Sequence, residues 1–451
     1  MTAPKKLLAA AILLSTPLVA TAQAEANPAE PAAAPPAEAK PAEPVPAPPP
    51  AAKPAEPKAL LTIYGTLNVN LQFTQAKGAS SPAADVKGRL AVSTDSSNVG
   101  VRGGLDVNEW VGAVYQCEIS ANLNGISPSG ICNRNSRLGI TGQWGTLFYG
   151  NWDTPFKAIA YGTKADDPFL NTDVFGFNAI MGSPGFNYRS SGWSTASNTA
   201  TAGFDVRANN AVAYHSPKWS GLSVKLEWAA DMFKNPSGTQ DPQLYGAAIN
   251  WDYGPVSVMA GYELHSDGFG LVAINGAAGG AFGSTAANIA GTATQAISSA
   301  DSAWRVGAGY QLDSPAGATT VGALFEQLTL KQGGAPAGAV TEYRRNAWQV
   351  SIKHRVGKHE LRGRYDQASA GDCALKGAAT CSTSGYGANN FAVGYAYYFT
   401  GAFQAYLSYM RINNQYNAQY TPSIGGSSAV AGSTPKGADP QALGLGARLA
   451  F

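Results

Sequence analysis

The chain has 451 residues, 13% of them charged, with 31 basic and 29 acidic side chains and a formal net charge of +2. That balance supplies no strongly basic surface for nucleic acid, and no apolar run beyond the N-terminus approaches the roughly 18 residues of a membrane helix. A membrane barrel stays open, because its signal is spread over short alternating segments.

Lys5 and Lys6 precede an apolar run from Leu7 to Ala20, and Ala22-Gln23-Ala24 follows as a small-x-small site. This is the pattern of a secretory signal peptide, with cleavage expected after Ala24. Residues 25–59 are nearly all Ala, Pro, Glu and Lys, as in Pro44-Val45-Pro46-Ala47-Pro48-Pro49-Pro50. Nothing there can form a core, so an extended periplasmic tether is expected. At about 3.1 Å per residue it reaches on the order of 100 Å. A plain spacer and a contact with the cell wall are both compatible with that composition.

From Leu61 to Thr74 the chain alternates. Leu61, Ile63, Leu67, Val69, Leu71 and Phe73 are apolar at odd positions, and Thr62, Thr66, Asn68, Asn70, Gln72 and Thr74 are polar at even ones. Period two marks a half-buried strand and excludes an amphipathic helix. The run exceeds the roughly 5–6 residues usual in soluble sheets and meets the roughly 9–11 that cross a bilayer at a tilt. Similar segments follow at about 89–105, 109–120, 133–141, 145–153, 207–217, 222–232, 244–253 and 256–266. Others lie at about 302–313, 319–331, 343–356, 359–369, 388–400, 403–414 and 439–451. With the first, these make about sixteen, an even number as single-chain bacterial barrels have.

Short connections such as Asp106-Val107-Asn108, Gly142-Gln143-Trp144, Gly254-Pro255, Gly357-Lys358 and Gly401-Ala402 alternate with long ones at 75–87, 154–206, 267–301 and 415–438. Short turns at one end and long loops at the other are barrel topology, whereas a soluble β-sandwich does not sort its connections this way. Aromatic residues gather toward strand ends, as in Tyr395, Tyr397, Tyr398, Phe399, Phe403, Tyr406 and Tyr409, where membrane interfaces favour them. The expected domain at 60–451 is therefore an all-β, antiparallel transmembrane β-barrel.

Several stretches resemble the general diffusion porins of Gram-negative bacteria, most closely the proteobacterial trimeric type. They are Ser97-Asn98-Val99-Gly100-Val101-Arg102-Gly103-Gly104-Leu105, Asn133-Arg134-Asn135-Ser136-Arg137-Leu138-Gly139-Ile140 and Gly145-Thr146-Leu147-Phe148-Tyr149-Gly150. To these are added Arg207-Ala208-Asn209-Asn210-Ala211-Val212-Ala213-Tyr214-His215-Ser216-Pro217 and the closing Leu443 to Phe451. The resemblance implies an outer-membrane homotrimer of sixteen-stranded barrels, each passing small hydrophilic solutes and ions, with no cofactor. It also implies an inward-folded third outer loop after Asp153-Thr154-Pro155-Phe156, and recognition of terminal Phe451 by the barrel-insertion machinery. Where the family commonly has Gly-Arg after the fifth strand, this chain has Gly150-Asn151.

Four cysteines in a secreted chain are expected to pair, and they allow three connectivities. Local pairs Cys117–Cys132 and Cys373–Cys381, each closing an outer loop, are favoured. No CxxC or His-Cys cluster suggests a metal. His215, His265, His354 and His359 are scattered and lack a nucleophile elbow, so an enzyme is not expected. Trp193, Phe186 and Tyr188 in the third loop keep a sugar-specific channel as the alternative. An adhesin would need ordered outer loops, whereas 271–300 is Gly, Ala, Ser and Thr in bulk.

If apolar parity faces lipid, the other parity lines the pore. Arg102, Arg137, Arg207, Lys225, Arg305, Arg345, Lys353, Arg355, Arg362, Arg364 and Arg448 fall on it, opposed by Glu118, Glu227, Glu263 and Asp366. Eleven basic against four acidic side chains make a basic wall. Asp166, Asp167 and Asp173 of the third loop are expected to face it. Rim arginines binding lipid phosphates are the competing reading. On the first reading the channel is modestly anion-selective.

Overall fold

The computed structural model describes residues 60–451 apart from 95, 124–129, 162, 166, 170–174, 187–191, 194–202, 231–240, 275–280, 287–296, 378–379 and 423–433. The signal peptide and the tether lie outside the described residues. Sixteen strands form one closed antiparallel wall. We label them β1 Thr62–Lys77, β2 Val86–Ser93 with Asn98–Asp106, β3 Val111–Ser120, β4 Ser136–Gly142, β5 Gly145–Asp153, β6 Arg207–His215, β7 Leu222–Ala230 and β8 Gln243–Tyr253. The second half comprises β9 Val256–Ser266, β10 Ser298–Ser314, β11 Gly317–Gly333, β12 Val340–Val356, β13 His359–Ala368, β14 Ala388–Tyr398, β15 Phe403–Asn414 and β16 Asp439–Ala450. Two short pieces, Gly192–Trp193 and Asp372–Leu375, pair with β6 and β12 outside this count.

The alternation in β1 becomes two environments. Ile63, Leu71 and Phe73 are exposed, whereas Asn68, Asn70, Gln72 and Thr74 are buried. Among the buried set, Tyr406 Oη donates to Asn68 Oδ1 at 2.8 Å and accepts from Asn70 Nδ2 at 3.1 Å. Tyr406 therefore belongs to the polar face. It is not one of the interface aromatics expected from its place near the strand end, since it alternates with exposed Leu407. The exposed aromatics form two bands. Trp228, Tyr245, Tyr262, Trp304, Phe325 and Trp348 follow one another toward the long-loop end, and Trp251, Tyr253, Tyr310, Phe399 and Phe403 lie toward the short turns.

Strands β10 to β12 each have 17 residues and outrun the segments read from sequence. Beyond Trp304, Phe325 and Trp348 their outward positions turn polar, with Gln327, Lys331, Arg344 and Asn346, so the apolar beat stops before the strand does. Strand β2 is interrupted at 94–97. There Ser97 takes over the ladder: its Oγ accepts from Asn68 N at 2.8 Å and donates to Asn68 O at 3.0 Å.

Described residues of the 154–206 connection lie against the face opposite the exposed apolar one. Gly394 and Gly444 leave room for rings: a Cβ would come within 2.8 Å of Phe169 Cε1 and 2.9 Å of Phe175 Cε2 respectively. A Cβ on Gly309 would overlap the Lys164 backbone. Phe169, Phe175, Phe177, Ile180 and Met181 are buried with Leu324, Ala347, Ala392 and Met410 of the strands. A second cluster joins Phe156, Phe186 and Phe204 to Leu271, Phe282, Leu328, Leu330, Tyr343 and Tyr386. Fully burying such a side chain is worth about 1.5–3 kcal/mol when water is the alternative.

The barrel closes by β1 pairing β16 from Thr66↔Ala450 to Lys77↔Asp439, and lipid tolerates no open edge. Beyond the last rung Gly65 N donates to Phe451 O at 2.9 Å, and Phe451 N to Gly65 O at 3.0 Å. Deleting Phe451 is expected to lower the yield of folded barrel, read as heat-modifiable migration on a gel, without altering the conductance of the fraction that folds. Normal yield with altered conductance would contradict this.

Candidate functional site

Where β5 ends, Asp153 gathers cations. Lys157 Nζ lies 2.7 Å from Oδ1 and Arg207 Nη2 3.0 Å from the same oxygen, while Asn135 Nδ2 donates to Oδ2 at 2.9 Å. Arg207 Nε also donates to Asn135 Oδ1 at 2.8 Å. Thr154 then caps the short helix Pro155–Ala158 by accepting from Lys157 N at 3.3 Å, with Pro155 at the first helical position where its missing N–H costs nothing. Burial pushes the Lys157 ammonium below its ordinary pKa, and Asp153 draws it back up.

Two buried ion clusters join this connection to the strands. Arg305 on β10 grips Asp205 with both terminal nitrogens, at 2.8 and 2.9 Å, and Glu326 of β11 through Nη2 at 2.6 Å. Its guanidinium lies over the Phe156 ring, 4.2 Å from the centroid. Glu326 Oε1 in turn accepts from Gly182 N at 2.7 Å and from Arg345 Nη2 at 3.0 Å, and Arg345 also donates to the carbonyls of Ile180 and Ser183. Burial pushes the Asp205 carboxyl above its ordinary range, and Arg305 works against that push. In the second cluster Arg364 of β13 holds both Asp167 oxygens at 2.9 and 2.8 Å, Asp366 at 2.8 Å and the Phe175 carbonyl at 2.6 Å.

Arg305, Arg345 and Arg364 thus carry no charge open to water: they are at most 4% exposed and their charges are matched. Glu326 and Glu360, both buried, are two carboxylates on the polar face that the strand-by-strand count missed. Glu326 could have been found from its alternation with exposed Phe325. A second signal was also present, since Leu324, Leu328 and Leu330 are buried on that same face. A strand apolar on both faces is one whose inner side is dry.

The remaining basic residues are more open. Arg102 is exposed over the Tyr64 ring at 4.8 Å, and Arg137 stacks near Phe148 and Trp152 at 5.2 and 5.0 Å. Lys225, Lys353, Arg355 and Arg448 are half-buried, whereas the Arg362 side chain is only 8% exposed. Among the acids, Glu118 meets Arg134 at 2.6 Å and Tyr64 Oη at 3.0 Å, Glu263 meets His265 Nε2 at 2.7 Å, and Glu227 is buried. Arg134, two residues before β4, is a wall cation that strand parity does not reveal. Asp166 and Asp173 lie outside the described residues.

Phe186 is buried among Phe282, Tyr343 and Tyr386 at ring distances of 5.3–5.5 Å and offers no open face to a sugar, while Tyr188 is outside the described residues. Cys117 pairs with Cys132 and Cys373 with Cys381; the second bridge packs beside that aromatic group. Among the described residues no group of three or more His, Cys, Asp or Glu side chains could hold a metal ion.

Comparison with known proteins gives the same architecture. Major outer membrane protein P.IB of Neisseria lactamica is 26% identical over 212 residues, 46% of this chain and 55% of that protein. The Neisseria meningitidis serogroup B counterpart is 24% identical over 208 residues, 46% of this chain and 54% of that protein. The chain spans about half the length of these curated relatives. An anion-selective porin from Comamonas acidovorans superposes with a TM-score of 0.63 at 19% identity, covering 87% of this chain and 99% of that one. OmpT of Vibrio cholerae, in its trimer form, does so with 0.54 at 16% identity, covering 87% of this chain and 99% of that one. These two show the fold. The family described as Gram-negative porin matches residues 9–418, and the chain therefore belongs to the Gram-negative porins.

Proposed function

We propose that the protein is an outer-membrane channel through which small hydrophilic solutes and ions diffuse passively, assembled as a homotrimer. The observation that carries this is the wall itself: sixteen strands with an apolar exposed face and a polar buried one. A barrel of that strand number encloses an aqueous lumen that side chains alone do not fill. Family membership and the trimeric likeness support the reading.

The 154–206 connection is read as the inward-folded loop that narrows the lumen. Its support is the ring packing on Gly394 and Gly444 and the two ion clusters at Arg305 and Arg364. With those arginines neutralised, preference rests on the other basic groups of the wall, Arg102, Arg137, Lys225, Lys353, Arg355 and Arg448 among them. Charges farther away than about 8 Å are screened at physiological salt, so these local ones decide preference. We infer modest anion selectivity, as the Comamonas acidovorans porin's description has it for that protein.

Purified protein in planar bilayers is expected to conduct in discrete steps, grouped in threes; a folded barrel that fails to conduct contradicts the channel reading. Deleting residues 160–185 is expected to raise the step size, and an unchanged step would refute the loop assignment. Arg305→Ala leaves Asp205 buried without its cation and Glu326 with Arg345 alone, a cost of about 3–5 kcal/mol. It should render the 154–206 connection cleavable by protease while the barrel stays folded. Unchanged resistance would show that this arginine does not hold it.

Reversal potentials in a potassium chloride gradient are expected to show anion preference, strongest at low salt and weakened or reversed by Arg102→Glu with Arg137→Glu. A cation-selective native channel, or a double variant with native selectivity, would remove these arginines from the pathway.

A further inference from the structure

We propose that Lys353, Arg362 and Arg448, on β12, β13 and β16, form a binding station for phosphate-type oxyanions inside the barrel. The proposal rests on the channel reading and adds to it a saturable site. Lys353 stands directly opposite Arg362 in register, which puts both side chains on one face. Arg362 Nη2 donates to Gln404 Oε1 at 2.9 Å, and Gln404 stands directly opposite Arg448. Strands are spaced by about 4.8 Å, so the three cations follow one another around a quarter of the wall, from β12 to β16. All three lie within a few residues of the short-turn ends of their strands. Phe169 packs on Gly394, the residue paired with Arg362, so the station sits beside the third loop, on its short-turn side.

The charge here is not matched as it is around Arg305 and Arg364. Glu360 is the carboxylate in contact, 2.7 Å from Arg362 Nε. Arg355, two residues from Lys353, adds a fourth cation and lies over the Tyr398 ring at 3.9 Å. Arg448 Nε has no acceptor among the described residues, and Nη2 reaches Thr66 Oγ1 at the long distance of 3.5 Å. Lys353 makes no ion pair among the described residues. Buried donors without acceptors are costly, and planar guanidinium forks match the several oxygens of a phosphate better than a halide. Tyr398 and Gln404 hold the Arg362 head in place at 3.2 and 2.9 Å, so the site is organised before the anion arrives.

The probe is inorganic phosphate, added to the full-length protein conducting chloride in a planar bilayer. The native current is expected to fall with phosphate along a saturating curve. In Lys353→Gln with Arg448→Gln the half-blocking concentration should rise by about tenfold, as expected when charge-assisted hydrogen bonds are lost. Lys353→Gln alone should move it part of the way. Lys331→Gln removes the same charge from the outward face at the long-loop end of β11 and should move it by less than about twofold. A response that never saturates, or equal shifts in the Lys331 and Lys353 variants, would overturn the station. If no current flows the channel reading fails instead, and calorimetric titration of phosphate into the detergent-solubilised barrel still decides the site: heat that saturates in the native protein and is lost in the double variant supports it, and absence of heat in both overturns it.

Discussion

A sheet in lipid has to spend every backbone donor and acceptor on itself, and that constraint organises everything else in this chain. The β1–β16 seam satisfies it, running from Gly65 to Lys77 of β1 and ending on Phe451. Closure at sixteen strands has a consequence for the interior, because a ring of that size encloses water. Whatever lies inside is therefore governed by ordinary aqueous physics. The rings of Phe169, Phe175 and Phe177 gain from leaving water, whereas Leu71 or Trp348 outside exchange one apolar neighbour for another.

The same difference explains the two kinds of charge on the inner face. Arg305, Arg345 and Arg364 lie under packed side chains and each has carboxylate partners in contact. Buried ion pairs contribute little net stability over apolar groups of the same volume, but breaking one is expensive. Their value here is geometric: they fix where the 154–206 connection touches the wall. Nearer the short turns Lys353, Arg355 and Arg448 are left without carboxylates in contact among the described residues. A neutral total for the chain thus coexists with a strongly uneven distribution.

Much of the wall was legible in the sequence because lipid and water impose period two on each strand, and every one of the sixteen segments corresponds to a strand. The strand ends were less legible. Once β10 to β12 rise past Trp304, Phe325 and Trp348 both faces meet polar surroundings and the pattern no longer reports the strand. The interior was legible by parity but not by pairing. Arg305 and Arg364 read as wall charges because their partners Asp205 and Asp167 come from a connection with no periodicity at all. The buried Leu324, Leu328 and Leu330 were the local sign that this side of the lumen is covered. Cysteine pairing followed from loop closure, since each bridge joins neighbours in sequence.

The most direct test of the account is whether Ala165 touches the inner wall in the folded membrane protein. Ala165 lies against Gly322, next to Ser351 on β12. With Ala165→Cys and Ser351→Cys introduced together, the account predicts that mild oxidant closes a cross-link detectable by mass spectrometry and leaves the single-channel conductance unchanged. No cross-link in a folded barrel, or a cross-link that alters the conductance, would contradict it.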